Sequence, residues 1–266
     1  MKYVPVLDKG FRPMYAEFKK YSEEAAKTEN KLLKICVERN DGYNYIYEYK
    51  IFANGHKDEN NLMAERIVKT ILWLVGGYKI YLAGDENVYE FIKAAYTDKG
   101  IRAFDKNFME RVYEKPFEVI MCDEKNFPKE KKCSLSVGGH LDGCRIGFDA
   151  GGSDRKVSAV IDGKVVYSEE VVWFPKINSD PDYHYNEILT ALKTAASKMP
   201  RVDAIGVSSA GVYVNNKIMV ASLFLKVNDE DFEKKVKTMY IDVAKELGEN
   251  IPLEVANDGD VTALAG

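Results

Sequence analysis

A chain of 266 residues has room for one large domain or two smaller ones, and 46% hydrophobic with 30% charged residues is the balance of a globular protein. A formal net charge of -4 argues against a nucleic-acid partner, whose phosphates need a basic face. No segment approaches the roughly 20 consecutive apolar residues of a membrane span, and the opening MKYVPVLDKG lacks the apolar core of a signal peptide.

In the first half, residues 34–39 and 43–52 flank Asn40-Asp41-Gly42, a strong hairpin signal. The run YNYIYEYKIF at 43–52 alternates Tyr and Ile with polar residues and suits a half-buried strand. Leu62, Ile67, Ile71, Leu72 and Val75 then share one helical face, and Gly76-Gly77 ends that helix. Residues 79–83 (KIYLA) predict a short buried strand, and Gly84 opens a second helix carrying Val88, Phe91, Ile92 and Ala95. Residues 108–113 predict a helix and 117–122 (FEVIMC) another strand. Residues 123–143 are charged, hold a proline and several glycines, and show no apolar period, so the domain boundary is placed there. The expected organisation is a smaller α/β accessory domain over 1–123, a linker over 124–143 and a second domain over 144–266. Lys129, Lys131 and Lys132 are interrupted by Glu130 and read as solvated linker.

In the second half, residues 144–149 predict a strand, and 157–161 and 164–172 predict two more, joined through the hairpin turn Asp162-Gly163. A helix over 187–198, a buried strand over 203–208, a short strand over 217–220, a long amphipathic helix over 229–247 and a last strand over 253–256 follow. This alternation predicts an α/β domain with a mixed sheet. The four cysteines (Cys36, Cys122, Cys133, Cys144) show no CxxC spacing, which predicts reduced thiols in a cytoplasmic protein. Cys133, His140 and Cys144 lack the fourth partner and the tight spacing of a zinc site.

The most informative segment is IGFDAGGSDRKVSAVIDGKVV, residues 146–166. A strand ends in Asp149; Gly151, Gly152 and Ser153 follow, and a second strand returns. Glycines let backbone N–H groups approach phosphate oxygens with no Cβ in the way. The Ser153 hydroxyl adds a donor, and a carboxylate at Asp149 can hold a hydrated Mg²⁺ beside those phosphates. A P-loop would instead open a helix with Lys-Ser/Thr. A Gly-rich hairpin capped by an Asp is the plain structural alternative. The second segment, LEVANDGDVTALAG at 253–266, is a buried strand leading to Asn257-Asp258 and an Ala-rich helical start. A carboxylate there can take the proton of a sugar hydroxyl as it attacks phosphorus. Helix capping by the same two residues is compatible with that role.

The order strand-DxGGT/S-hairpin, Gly-rich loop, strand-NDxN-helix resembles the ROK (repressor, open reading frame, kinase) family of sugar kinases, in the superfamily of actin, hexokinase and heat-shock chaperones. The three pieces are DAGGS at 149–153, GVSSAGV at 206–212 and NDGD at 257–260, and the resemblance covers roughly residues 144–266. It implies a ribonuclease-H-like (actin-like ATPase) mixed-sheet α/β lobe and ATP-dependent phosphorylation of a hexose, with ATP and Mg²⁺. Asp149, Gly151, Gly152 and Ser153 would face the ATP phosphates, with Asp149 organising the metal. Gly211 and its loop would lie over the sugar, and Asn257 and Asp258 would bind it, with Asp258 as the general base.

The sequence also departs from the family. The usual Pro-Gly-Pro loop reads Ala210-Gly211-Val212 here, and Ser222 stands where a sugar-facing Asn is common. Ser153 replaces the commoner Thr and keeps the hydroxyl. The family continues past the Asn-Asp helix with a second phosphate loop, further sugar ligands and an adenosine-contacting helix. The chain is therefore expected to carry only the first lobe, to lack turnover by itself, and to associate through an uncovered cleft face. Some ROK members are repressors with an N-terminal helix-turn-helix, but residues 1–123 are Tyr-rich, are not basic and show no recognition helix. A sugar-responsive regulator or binding protein of the same fold, binding sugar without consuming ATP, is the alternative from another functional class.

Overall fold

The Asn40-Asp41-Gly42 turn reverses the chain as its residue types allow, with Asp41 at φ 58° and Gly42 at φ 71° in the left-handed region. It joins β1 (Asn30–Glu38) to β2 (Asn44–Phe52), antiparallel in a register that sets Ile35 opposite Tyr47 and Leu33 opposite Tyr49. The computed structural model describes residues 5–132 and 140–265. The chain divides into two units, residues 1–134 and 135–266.

The first unit starts with α1 (Met14–Ala26) before β1; α2 (Lys57–Val75), β3 (Lys79–Ala83), α3 (Glu86–Ala95), α4 (Ala103–Tyr113) and β4 (Glu118–Met121) follow β2. The sheet order is β2-β1-β3-β4, with β3 and β4 parallel and the other pairs antiparallel. Leu33, Ile35, Val37, Tyr49, Ile51, Ile80 and Leu82 form one core with Ala64, Val68, Leu72, Val88 and Ile92 of the helices. Gly76 (φ 73°) ends α2, accepting the conformation that other residues resist. Within the stretch read as linker, residues 129–131 are pinned to β2. Asn44 Nδ2 donates to the Lys129 carbonyl at 2.9 Å, and the Lys131 N–H donates to Asn44 Oδ1 at 3.1 Å. Cys133 lies outside the described residues.

The second unit runs β5 (Cys144–Ala150), β6 (Asp154–Ile161), β7 (Lys164–Val172), α5 (Pro181–Ala196), β8 (Ala204–Ser209), β9 (Gly211–Val214), β10 (Lys217–Ala221), α6 (Asp229–Asp231), α7 (Met239–Lys245), β11 (Leu253–Asn257) and α8 (Asp258–Ala265). The five-stranded sheet is ordered β11-β8-β5-β6-β7. β5, β8 and β11 are parallel, while β6 and β7 return antiparallel. Both units are therefore mixed α/β with mixed sheets. Strict alternation on β5 buries Cys144, Ile146, Phe148 and Ala150 against α5 and its neighbours, and turns Arg145, Gly147 and Asp149 to the opposite face.

Several elements differ from expectation, α1 and β9 among them, and two of the differences have a local cause. α5 starts at Pro181, earlier than 187, because Asp180 caps it through the Asp182 N–H and proline suits the first helical position. The helix expected over 229–247 is broken into one α turn, a π turn at Phe232–Val236, and α7. The cause is a competing donor: the Ile218 N–H of β10 takes the Lys237 carbonyl at 2.9 Å, just before Thr238 leaves helical geometry (φ -105°, ψ 7°). Among the described residues no helix is long and apolar enough to cross a membrane.

Candidate active site

The register of the parallel strands brings the three sequence motifs to one end of one sheet. Asp149 lies opposite Ser208, and Ser208 opposite Ala256; one residue on, Ala150, Ser209 and Asn257 form the next row. The carboxyl ends of parallel strands are where an open α/β sheet leaves room for ligands. The glycine turn 151–153, the Ala210-Gly211 corner and the Asn257-Asp258 helix start all leave the sheet there.

The turn itself is held from β7. The Trp173 backbone N–H donates to the Ser153 carbonyl at 3.1 Å and its indole Nε1 to the Gly151 carbonyl at 2.8 Å. Trp173 is 1% exposed, so this clamp is a core residue. With the carbonyls turned inward, the backbone N–H groups of Gly151, Gly152 and Ser153 have no acceptor among the described residues. Both glycines lie where a side chain would meet a neighbour, backbone at Gly151 and a movable side chain at Gly152. A Cβ on Gly151 would stand 2.6 Å from the Asp154 carbonyl oxygen, and one on Gly152 would stand 2.6 Å from Lys176 Nζ. Ser153 Oγ donates to Asp154 Oδ2 at 3.1 Å. The Lys156 ammonium bonded to Asp154, with Ser153 adding to it, holds that carboxyl below its usual range.

Asn257 and Gly211 are joined directly, the Asn257 Nδ2 donating to the Gly211 carbonyl at 2.8 Å. Asn257 Oδ1 and Asp258 Oδ1 both accept from the Gly259 N–H at 2.9 Å, so the pair caps α8. One N–H of Asn257 and the second oxygen of Asp258 remain for a ligand. Ser222 is exposed and follows Ala221, which pairs with Gly211 across β9 and β10, so it lies beside the same corner. Beneath the corner, Tyr213 and Tyr240 (ring centroids 6.4 Å apart) bury hydroxyls that lack a partner of good geometry, next to Ser209. Burial pushes the Tyr213 phenol up to about 12, the neighbouring Asp258 charge acting in the same direction.

Asp149 faces the side of the sheet opposite α5, into a hollow of about 600 Å³. Its lining includes Gly147, Lys156, Ser158, Gly206 and Ser208 of the sheet and Val261 and Leu264 of α8. Among the described residues, no group of three or more His, Cys, Asp or Glu side chains gathers to hold a metal. Mg²⁺ commonly takes one or two carboxylates and completes its shell with phosphate and water, a donor set that Asp149 beside a free N–H turn fits.

Nothing in the sequence singles out Trp173 or Lys176. Their relation to the turn is made by β7 folding back over some 20 residues, which neither period nor spacing reveals.

No protein-family model matches the sequence, and no curated protein matches it. Among solved structures the chain is distantly similar to sugar kinases. A glucokinase from Parabacteroides distasonis matches at 20% identity over 44% of this chain and 31% of that one, with a TM-score of 0.36. A proposed N-acetylmannosamine kinase from Listeria monocytogenes matches at 24% identity over 46% of this chain and 38% of that one, with a TM-score of 0.33. A PPX-GPPA enzyme from Aquifex aeolicus matches at 14% identity over 86% of this chain and 93% of that one, with a TM-score of 0.25. The chain spans less than two fifths of the length of either kinase.

Proposed function

We propose that residues 144–265 form the nucleotide-phosphate lobe of an ATP-dependent sugar kinase of the ROK type, acting on a hexose. The observation that carries this reading is the convergence of the free N–H groups of 151–153, the Asp149 carboxylate and the Asn257-Asp258 pair at one end of three parallel strands. Each is of the chemical type that phosphoryl transfer to an alcohol needs, where positioning and charge stabilisation do most of the work.

In this reading Gly151, Gly152 and Ser153 donate to the phosphates, and Asp149 holds Mg²⁺, which supplies charge screening when bound. Gly211, Ser222 and Asn257 border the sugar. Asp258 takes the proton of the attacking hydroxyl while that oxygen bonds to the γ-phosphorus and the bond to the ADP oxygen breaks. Gly211 contributes through its backbone, since a Cβ there would stand 2.6 Å from the Val220 carbonyl oxygen.

The test is ATP binding by calorimetry, followed by a coupled ADP-release assay over a panel of hexoses. Phosphate-dependent ATP binding, with ADP release that requires one sugar, is the expected result for the whole protein. A protein that binds hexose but no nucleotide would replace this reading with that of a sugar sensor.

A further inference from the structure

The segment after β7 is fastened at several residues. The Phe174 N–H donates to the Tyr183 hydroxyl at 2.9 Å, and Asn178 Nδ2 donates to the Phe174 carbonyl at 2.9 Å. The fully buried His184 places its ring nitrogens 2.9 Å from the Pro175 carbonyl oxygen and 3.0 Å from that of Asp180. Trp173 ties the same segment to the glycine turn, and Pro175 is buried. From this platform Lys176 brings its charge to the turn. Its Nζ and Cε lie 2.6 and 2.7 Å from where a Cβ of Gly152 would be. No carboxylate pairs with it among the described residues.

An exposed lysine ordinarily samples many rotamers in solvent. Here the ammonium rests in the space that Gly152 leaves open, against the turn whose three backbone N–H groups have no acceptor among the described residues. Donors without acceptors and a cation without a counter-ion, side by side, are the chemical complement of a phosphate. We infer that Lys176 is a phosphate-binding residue of this site, completing the 151–153 turn into a charged cradle for the polyphosphate chain of the nucleotide. The role rests on the nucleotide reading given above and adds a group that the strand-Asp-Gly-Gly-Ser motif does not contain. Trp173 acts through the turn and the platform, and is a positioning residue.

The experiment measures equilibrium binding of ATP and of inorganic tripolyphosphate to the full chain and to its Lys176→Met and Lys176→Arg variants, at fixed ionic strength. Lys176→Met is expected to weaken both ligands about tenfold, to flatten the salt dependence of binding, and to leave the thermal midpoint unchanged; Lys176→Arg should recover most of the affinity. Equal affinities in wild type and Lys176→Met would overturn the inference and leave the nucleotide reading standing. Absence of binding of both probes to the wild type would overturn both.

Discussion

The indole N–H of Trp173 donates to the Gly151 carbonyl at 2.8 Å, tying a buried core residue to the turn that presents the free N–H groups. Removing that donor leaves a carbonyl with an inward lone pair and no partner. Trp173→Phe is therefore expected to cost about 1–3 kcal/mol from the lost bond and more from the cavity left beside it. Nucleotide affinity should fall with it, because the turn loses one of its two ties. Urea unfolding of the variant, read by far-ultraviolet circular dichroism, is the check; an unchanged midpoint would remove Trp173 from the turn's support.

The two glycines should respond differently to a side chain. At Gly151 an added Cβ meets the Asp154 carbonyl oxygen at 2.6 Å, which is backbone and cannot step aside. At Gly152 it meets the far end of Lys176, which can. Gly151→Ala should thus destabilise the fold by about 1–3 kcal/mol. Gly152→Ala should leave the melting temperature nearly unchanged yet weaken ATP, by displacing the ammonium and crowding the approach of phosphate. The opposite ranking in a thermal melt would show that the turn is packed differently.

Much of this arrangement is legible in residue patterns, and its limits have physical causes. The β1–β2 and β6–β7 hairpins follow from Asn-Asp-Gly and Asp-Gly turns between alternating strands, and α2 from its apolar period. Met14, Phe18, Tyr21 and Ala25 have the spacing that makes α1, a stripe of the same kind that the expected elements do not include. Asn215-Asn216, both left-handed at φ 52° and 63°, make the β9–β10 turn, and Asn216 also bonds Leu253 and Val255 of β11. The broken helix before β11 and the Trp173 and Lys176 contacts depend on which strand ends up beside which turn. The residue types at Asp149, Gly151, Gly152, Ser153, Asn257 and Asp258 point to the site; the groups that support it are set by tertiary packing.

Asp258 is exposed and, among the described residues, accepts only the Gly259 N–H through Oδ1, leaving its other oxygen open. In the kinase reading, Asp258→Asn keeps the size and the cap acceptor but cannot take a proton. Sugar-dependent ADP release should fall on the order of 10²–10⁴-fold while sugar affinity stays within a few-fold. Turnover near that of the wild type in the whole protein would exclude Asp258 as the base.

Tyr213 offers a probe of the corner that needs no ligand. Its phenol is raised from 10.0 to about 12, first by burial and then by the Asp258 charge, while the Ser209 contact pulls the other way. Between those two values the unfolded chain has lost this proton and the folded chain still holds it. Fewer protons on the unfolded state means that stability falls as pH rises, beginning near 10 and levelling off only once the folded phenol ionises near 12. The buried hydroxyl has no partner of good geometry, so Tyr213→Phe should cost little at neutral pH. In alkali the variant should lose less than the wild type, by up to roughly 2 kcal/mol, since other buried tyrosines contribute equally to both proteins. Denaturant midpoints compared at neutral pH and again at about pH 11 give the difference directly. Parallel losses in the two proteins would mean that the phenol ionises as freely folded as unfolded, and that the floor beneath Gly211 and Asn257 is open to water.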